Sequence, residues 1–236
     1  MIISVVVPAL NEEKYIGKCL SSLRAQTYPR ELYEIIVVDN ASTDRTAEIA
    51  RGFGVKVVYE PERGVGRARH RGAEEARGEI IAGTDADAIA RPTWLEAIAR
   101  AFRSDQALGA ATGPIALHDG NRLQCWWARH VYNGVTRLCY TVGRGVINGN
   151  NFAVRTRDYW RVGGFNTSLL SAEDMDLGVR LSAVTRTIYS PKMVMYVSAR
   201  RVREGYGTIL LGSSKQYVRV VILGRPPVGK EFVQIR

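Results

Sequence analysis

Two carboxylates one residue apart, Asp85 and Asp87, follow the apolar run Ile80-Ile81-Ala82 and the pair Gly83-Thr84. The run reads as a buried strand. In an open α/β sheet, ligands bind outside the carboxyl ends of the strands. Two acids at such an end suit a hard divalent cation that shares its other positions with phosphate oxygens and water. The same spacing also fits an acidic turn, because Asp is common in turns. A second acidic pair, Glu173-Asp174, opens the segment EDMDLGVRLSAV. Acids at a helix start are stabilised by the helix dipole, so capping accounts for this pair as well as chemistry does. The surrounding elements decide between these readings.

The first ninety residues supply a frame. Ile2 to Val7 is a β-branched run, read as a buried parallel strand that Pro8 stops. Asn11 stands as the N-cap of a helix with Glu12 and Glu13 in its first turn and Ile16, Leu20 and Leu23 on one face. Glu34 to Val38 is a second buried strand, ending in Asp39. Ser42, Thr43 and Asp44 cap a short helix. Val55 to Tyr59 is a third strand, Gly64 to Ala76 a helix rich in Ala and Arg, and Ile80 to Gly83 a fourth strand. Strand and helix alternate four times, the pattern of a mostly parallel sheet with helices on both faces. Polar groups follow three of the strands: Asn11 with Glu12, then Asp39, then Asp85 with Asp87. Those ends line one cleft, which favours chemistry over an acidic turn.

The second half continues the alternation. Pro92 suits a helix start, and Trp94, Leu95, Ile98 and Phe102 follow at helical spacing. Gly109 to Leu117 reads as one strand. Asn121 to Tyr140 reads as a helix in which Trp126 and Trp127 are adjacent, so both cannot point inward. Aromatic surface near Arg122, Arg129 and Arg137 fits an interfacial or acceptor-facing helix; a core helix is the alternative. Val146 to Val154 is a strand with a Gly-Asn kink, Arg157 to Val162 a short helix, and Thr187 to Val197 one or two strands interrupted by Pro191. From Ser198 onward the chain is basic and amphipathic. It fits a peripheral membrane contact or a solvated terminal helix packed on the domain.

The 236 residues suffice for one large domain with an appendage. With 46% hydrophobic and 24% charged residues, the composition is that of a globular protein. A net charge of +10 points to anionic partners: nucleic acid, an anionic membrane or phosphorylated small molecules. Cys19, Cys125 and Cys139 form no zinc pattern and suit a reduced, cytosolic setting. The N-terminal apolar run is too short for a signal peptide, and no apolar run is long enough to span a membrane.

Four stretches then carry a resemblance: VVVPALNEEKYIGKCLSSLRAQ, EIIVVDNASTDRT, GVGRARHRGAEEARGEIIAGTDADA and NGNNFAVRTRDYWRVGGFN with the following LLSAEDMDLGVRLS. In this order and spacing, over residues 2 to 204, they resemble the family 2 glycosyltransferases, inverting enzymes of the GT-A fold. The resemblance implies an α/β, Rossmann-like and mostly parallel central sheet flanked by helices. It implies a transferase domain over 1–204, with a nucleotide-binding half (1–90) and an acceptor-binding half (91–204), before a basic amphipathic tail (205–236).

By that resemblance, Pro8, Ala9, Asn11 and Glu12 cradle base and ribose, and Asp39 hydrogen-bonds the base. Arg69 lies near the nucleotide, although His70 stands where the family usually has Asn. Asp85 lies toward the ribose, and Asp87 binds Mn2+ or Mg2+ on the diphosphate. Asn148, Gly149 and Asn150 line the donor sugar. Asp174 is the catalytic base, with Glu173 beside it. Arg200, Arg201 and Arg203 partly resemble a basic motif that meets the diphosphate. The Gln-x-x-Arg-Trp form of processive synthases is missing, which argues against polymer synthesis. The physics agrees: a divalent metal neutralises the leaving diphosphate, and a carboxylate takes the proton of the attacking hydroxyl. The implied donor is a nucleotide sugar, with UDP favoured over GDP. The implied acceptor is a carbohydrate or lipid-linked group, and the implied location is cytoplasmic or peripheral at the inner face of the membrane.

Three other readings fit less well. A sugar-1-phosphate nucleotidyltransferase needs a Gly-rich, Arg-containing loop after the first strand, where this chain has PALNEE. A dehydrogenase needs a final Gly where Arg69 follows Gly64-Val65-Gly66, and needs it after the first strand. A non-catalytic basic module on membrane or nucleic acid leaves the strand-end acids unexplained, because acids repel a phosphate groove without metal.

Overall fold

Alternation within β1 (Ile3–Ala9) already places the sheet between two layers. Ile3, Val5 and Val7 pack into one core and Val6 into the other, as the period of two in a strand requires. The computed structural model describes residues 1–169, 171–200 and 219. After β1 come α1 (Ile16–Arg24), β2 (Tyr33–Asp39), α2 (Thr46–Gly52), β3 (Lys56–Tyr59), α3 (Val65–Glu74) and β4 (Ile80–Gly83). There follow β5 (Ile89–Ala90), α4 (Trp94–Ser104), β6 (Leu108–Thr112), β7 (Ile115–Leu117), α5 (Arg122–Trp127), a π-helical turn (Ala128–Tyr132) and α6 (Asn133–Thr141). The described chain closes with β8 (Phe152–Arg155), α7 (Thr156–Arg161), α8 (Glu173–Ser182), β9 (Arg186–Tyr189) and β10 (Met195–Val197).

Seven strands form one sheet in the order β3-β2-β1-β4-β8-β6-β9, and β5, β10 and β7 form a small second sheet. In the large sheet only β8 runs antiparallel to its neighbours. One core, under α1, α2 and α4, includes Leu20, Leu23, Trp94, Ile98 and Phe102. The other, under α3, α7 and α8, includes Ala68, Phe152, Tyr159, Leu177 and Leu181. The expected α/β sheet with helices on both faces is therefore present. The tail from 205 lies outside the described residues, apart from Arg219.

Three strand expectations need correction. The strand expected over Val146 to Val154 is β8, which begins only at Phe152, after a loop closed by an isolated Asn148–Asn151 bridge. Pro8 does not stop the first strand; it pairs with Val38 inside β1. Thr84 donates to the carbonyl of Val6, so residue 8 faces the same side, where the β1–β4 ladder has already ended at Val6 and Gly83. A proline without an N–H costs nothing there. The single strand expected over Gly109 to Leu117 is two, β6 and β7, in different sheets. Gly113-Pro114 breaks it, and the N–H of Ile115 goes instead to Asn133 Oδ1 at 3.0 Å. Asn151 ties the two sheets together. Its Nδ2 donates to the carbonyls of Pro114 and Met193 at 2.9 and 2.7 Å, and its Oδ1 accepts from Trp94 Nε1 at 2.9 Å.

Candidate active site

The parallel register of β1, β2 and β4 brings their carboxyl ends to one sheet edge. Pro8 and Ala9 end β1 and are buried. Asn11 follows in the left-handed region, φ 54°, which Asn tolerates better than most residues. It is not a helix cap, since α1 begins only at Ile16. Instead its Oδ1 accepts from the Thr43 N–H at 2.8 Å, and its own N–H donates to Ser42 Oγ at 3.0 Å. The Glu12 N–H donates to Thr46 Oγ1 at 2.7 Å. The loops after β1 and β2 thus form one wall. Asp39 is buried in it, with Oδ1 accepting from the Ser42 N–H at 3.2 Å. Its neighbour Asn40, which the sequence reading passed over, donates to the carbonyls of Glu60 and Glu62 and accepts from the Gly64 N–H. It thereby fixes the entry to α3.

Arg69, on α3, joins the two acidic pairs. Its Nη2 donates to Asp85 Oδ1 at 2.8 Å, and its Nη1 pairs with Glu173 Oε1. Burial alone would lower the guanidinium pKa, but the charges of Asp85, Glu173 and Asp174 override it and raise the pKa. Glu173 moves up as well: burial is the largest cause, Arg69 opposes it, and Asp174 adds to it. Gly149 is where the 148–150 loop meets this arginine. A Cβ there would lie 2.4 Å from Arg69 Nη2, so any other residue would push the guanidinium off its acids. The Gly149 N–H donates to Asp174 Oδ2 at 2.8 Å, while Asp174 Oδ1 accepts from the Met175 N–H at 2.8 Å. Both oxygens of Asp174 are therefore oriented by backbone. Gly178 lets α8 close onto the same loop, since a Cβ there would come 2.5 Å from the Ile147 nitrogen.

Asn148 is buried, and its Oδ1 accepts from Tyr132 Oη at 3.1 Å. Asn148 Nδ2 and Asn150 Oδ1 are buried with no hydrogen-bond partner among the described residues. Buried polar atoms of that kind call for a ligand or a water. Tyr132 was not a sequence-based candidate. Its phenol is pushed up by burial first and by Asp174 and Asp85 next, which places it in the field of the acids.

The second acid of the pair, Asp87, has a different partner. Arg200 Nη2 donates to Asp87 Oδ2 at 3.0 Å and to Glu12 Oε1 at 2.8 Å, and Arg200 Nη1 reaches Glu12 Oε2 at 3.2 Å. Its guanidinium carbon stands 4.6 Å from the centre of the Tyr15 ring, within cation–π range. Of the three late arginines, Arg200 thus reaches the acids, whereas Arg201 and Arg203 lie outside the described residues. Beneath the acids, the thiol of Cys19 is pushed up by burial and further by Asp87 and Asp85.

These residues fit a divalent cation shared with a ligand. Among the described residues no three His, Cys, Asp or Glu side chains converge as a complete metal cage. Mg2+-type sites need no such cage, because one or two carboxylates and substrate phosphates suffice. Glu12 and Asp87 already hold one positive group between them, the Arg200 guanidinium.

Comparison with known proteins agrees with the fold. The family model described as glycosyl transferase family 2 matches residues 4–163. Glycosyltransferase AglE of Haloferax volcanii is 40% identical over 100 residues, which is 40% of this chain and 33% of AglE. The probable glycosyltransferase YdaM of Bacillus subtilis is 28% identical over 198 residues, 76% of this chain and 46% of YdaM. The matched chain thus spans less than half the length of either relative. Mannosyltransferase PcManGT from Pyrobaculum calidifontis, solved with GDP-Man and Mn2+, has a TM-score of 0.69 at 26% identity over 90% of this chain and 63% of its own. TarS of S. aureus with UDP-GlcNAc has a TM-score of 0.71 at 24% identity over 97% of this chain and 68% of its own, a likeness of fold. The architecture is GT-A, and with the family model matching more than half its length the chain belongs to the family 2 glycosyltransferases.

Proposed function

We propose that the chain transfers a sugar from a nucleoside diphosphate to an acceptor hydroxyl or lipid phosphate, with inversion. The observation that carries this is the bridge made by Arg69, which holds Asp85 of the strand-end pair and Glu173 of the α8 pair in one site. In this reading the wall of Pro8, Ala9, Asn11, Glu12 and Asp39 takes base and ribose, and Asp85 with Asp87 takes the metal and diphosphate. The loop Asn148–Asn150 takes the sugar. UDP is the favoured nucleotide; PcManGT, solved with GDP-Man, keeps GDP open.

A divalent cation, when bound, neutralises charge on the leaving diphosphate. The other steps belong to the protein. Asp174, oriented by the Gly149 and Met175 N–H groups, accepts the proton of the acceptor hydroxyl as its oxygen bonds to the anomeric carbon. The bond from that carbon to the diphosphate breaks on the opposite face, so the configuration inverts. A phosphate acceptor, already ionised, attacks without a base. Glu173 holds Arg69 in place, and Arg69 holds Asp85.

A thermal-shift series tests the donor site. UDP or GDP raises the melting temperature only with Mn2+ or Mg2+ present, and Asp87→Ala removes that metal-dependent shift. Failure of every nucleoside diphosphate with metal to stabilise the wild type sinks the reading. Arg200 adds a second expectation. Its guanidinium occupies the charge position between Glu12 and Asp87, so it competes with a cation there. Arg200→Met therefore tightens nucleotide-free Mn2+ binding at least about tenfold, read by calorimetry, because like charges a few ångströms apart repel strongly. Equal Mn2+ affinity in both proteins removes Arg200 from the metal position.

A further inference from the structure

One exposed face has no role in the site just described. Leu123, Trp126, Val131, Leu138 and Val142 are 72%, 56%, 37%, 60% and 63% exposed. The first four sit on the continuous helical segment formed by α5, the π-turn and α6, and Val142 is its C-cap. The π-turn puts them together. Its bond runs from the Asn133 N–H to the Ala128 carbonyl, five residues back, so one extra residue is absorbed. At 100° per residue an unbroken α-helix would carry Leu138 about 120° around from Trp126. Absorbing one residue across the turn cuts that to about 20°, puts Leu123 and Val142 about 60° from Trp126, and leaves Val131, inside the turn, about 80° away. The result is a single apolar stripe.

The charge on this segment is one-sided. From Asn121 to Arg144 the sequence holds four arginines and no Asp or Glu. Arg122, Arg129 and Arg137 are exposed beside the stripe. An apolar stripe flanked by arginines is the composition of a helix that lies in a lipid–water interface. We propose that this face seats the protein on an anionic bilayer surface. Charge argues against two other occupants. A second copy would set four arginines against four. Residues 201–236 of this chain carry seven Lys and Arg against two Glu, a like charge as well. An anionic lipid surface is the complement, because its surface potential attracts basic groups held near it. Among the described residues no helix is long and apolar enough to cross a membrane.

The inner side of the same segment faces the site. Tyr132 donates to Asn148, and Asn133 holds both the N–H and the carbonyl of Ile115. Seating the outer side on lipid therefore brings the site to the membrane surface. Taken with the transferase reading, on which this clause rests, the acceptor is a lipid-linked group.

Vesicle flotation of the full chain tests the seat without any turnover. Wild-type protein floats with phosphatidylglycerol-containing vesicles, floats less as salt rises, and stays down with pure phosphatidylcholine. Leu123→Ser/Trp126→Ser/Leu138→Ser lowers the anionic partition at least about tenfold, because three exposed apolar chains lose their burial in lipid. Circular dichroism and the melting temperature check that the triple variant is folded. Arg122→Glu/Arg129→Glu/Arg137→Glu leaves the apolar stripe intact and still abolishes flotation. Three results overturn the proposal. One is absence of wild-type binding to anionic vesicles. Another is equal binding by the folded triple variant, which places the contact elsewhere. The third is a wild-type dimer that the triple variant converts to monomer, which makes the face a homotypic interface. The thermal-shift series with nucleotide stands apart from all three, so failure of the membrane seat and failure of the transferase reading are separately visible.

Discussion

Replacing Asp174 with Asn leaves donor binding intact and lowers transfer to a hydroxyl acceptor by about 10²- to 10⁴-fold, the usual worth of a positioned general base. The substitution is close to isosteric. One side-chain oxygen remains to accept from the Gly149 N–H, now 2.8 Å from Asp174 Oδ2, so the 148–150 loop keeps its place. What is lost is a group that takes a proton, together with the acceptor of the Met175 N–H. Nucleotide release with and without acceptor, beside calorimetric titration of UDP with Mn2+, separates the two effects. An unchanged rate with a hydroxyl acceptor refutes the role and makes Glu173 the candidate. Glu173 is the weaker choice on geometry, because Arg69 already occupies its carboxylate. The same variant also sorts acceptors: a phosphate acceptor needs no base, so its turnover survives where that of a hydroxyl collapses.

Much of this site was legible because strand ends in a parallel sheet are countable. Three apolar runs ending in Asn11-Glu12, Asp39 and Asp85-Asp87 place those groups on one edge without any knowledge of side-chain packing. The adjacency of Glu173 to that edge was not legible from spacing. It depends on α8 packing over β6 and β9, beside a strand, β8, that runs against the others, on Gly178 allowing backbone contact, and on Gly149 making room for Arg69. Arg69 was placed near the nucleotide, but its bridge across the site needed the third dimension. Asn11 misled because Asn serves both as an N-cap and as a left-handed turn residue. Here the Ser42 and Thr43 loop claimed it first. Tyr132 carried no signal at all. It lies inside a helical run, and the π-turn that directs the outer stripe has no marker in the sequence. The adjacent tryptophans were the exception, since two neighbours on a helix cannot both be buried, and Trp126 is indeed exposed.

Removing the arginine at the centre should cost more stability than any surface change. Arg69→Met leaves Glu173 and Asp85 without their shared cation, and stripping one partner from a buried ion pair costs about 3–5 kcal/mol. The pH dependence gives the mechanism away. Glu173 already has its folded pKa raised, because burial outweighs the attraction of Arg69. Without Arg69 the rise is larger. A carboxyl with a raised folded pKa binds more protons folded than unfolded, so stability falls as pH climbs from the ordinary glutamate range through the folded pKa. The deficit of Arg69→Met against wild type is therefore largest at neutral and alkaline pH and shrinks toward mildly acidic pH, where Glu173 is protonated. Urea unfolding of both proteins at several pH values measures it. Adding Glu173→Gln removes the stranded charge, so the double variant recovers most of the loss at neutral pH and loses the extra pH dependence. A deficit that is independent of pH, or a double variant no more stable than Arg69→Met, would show that Arg69 acts by packing against Gly149 and Phe165 rather than by charge. The metal-dependent nucleotide shift reads the Asp85 side of the bridge apart from the Glu173 side: Asp85 loses the partner that orients it in both Arg69 variants, so donor binding weakens in both, while Glu173→Gln alone retains it.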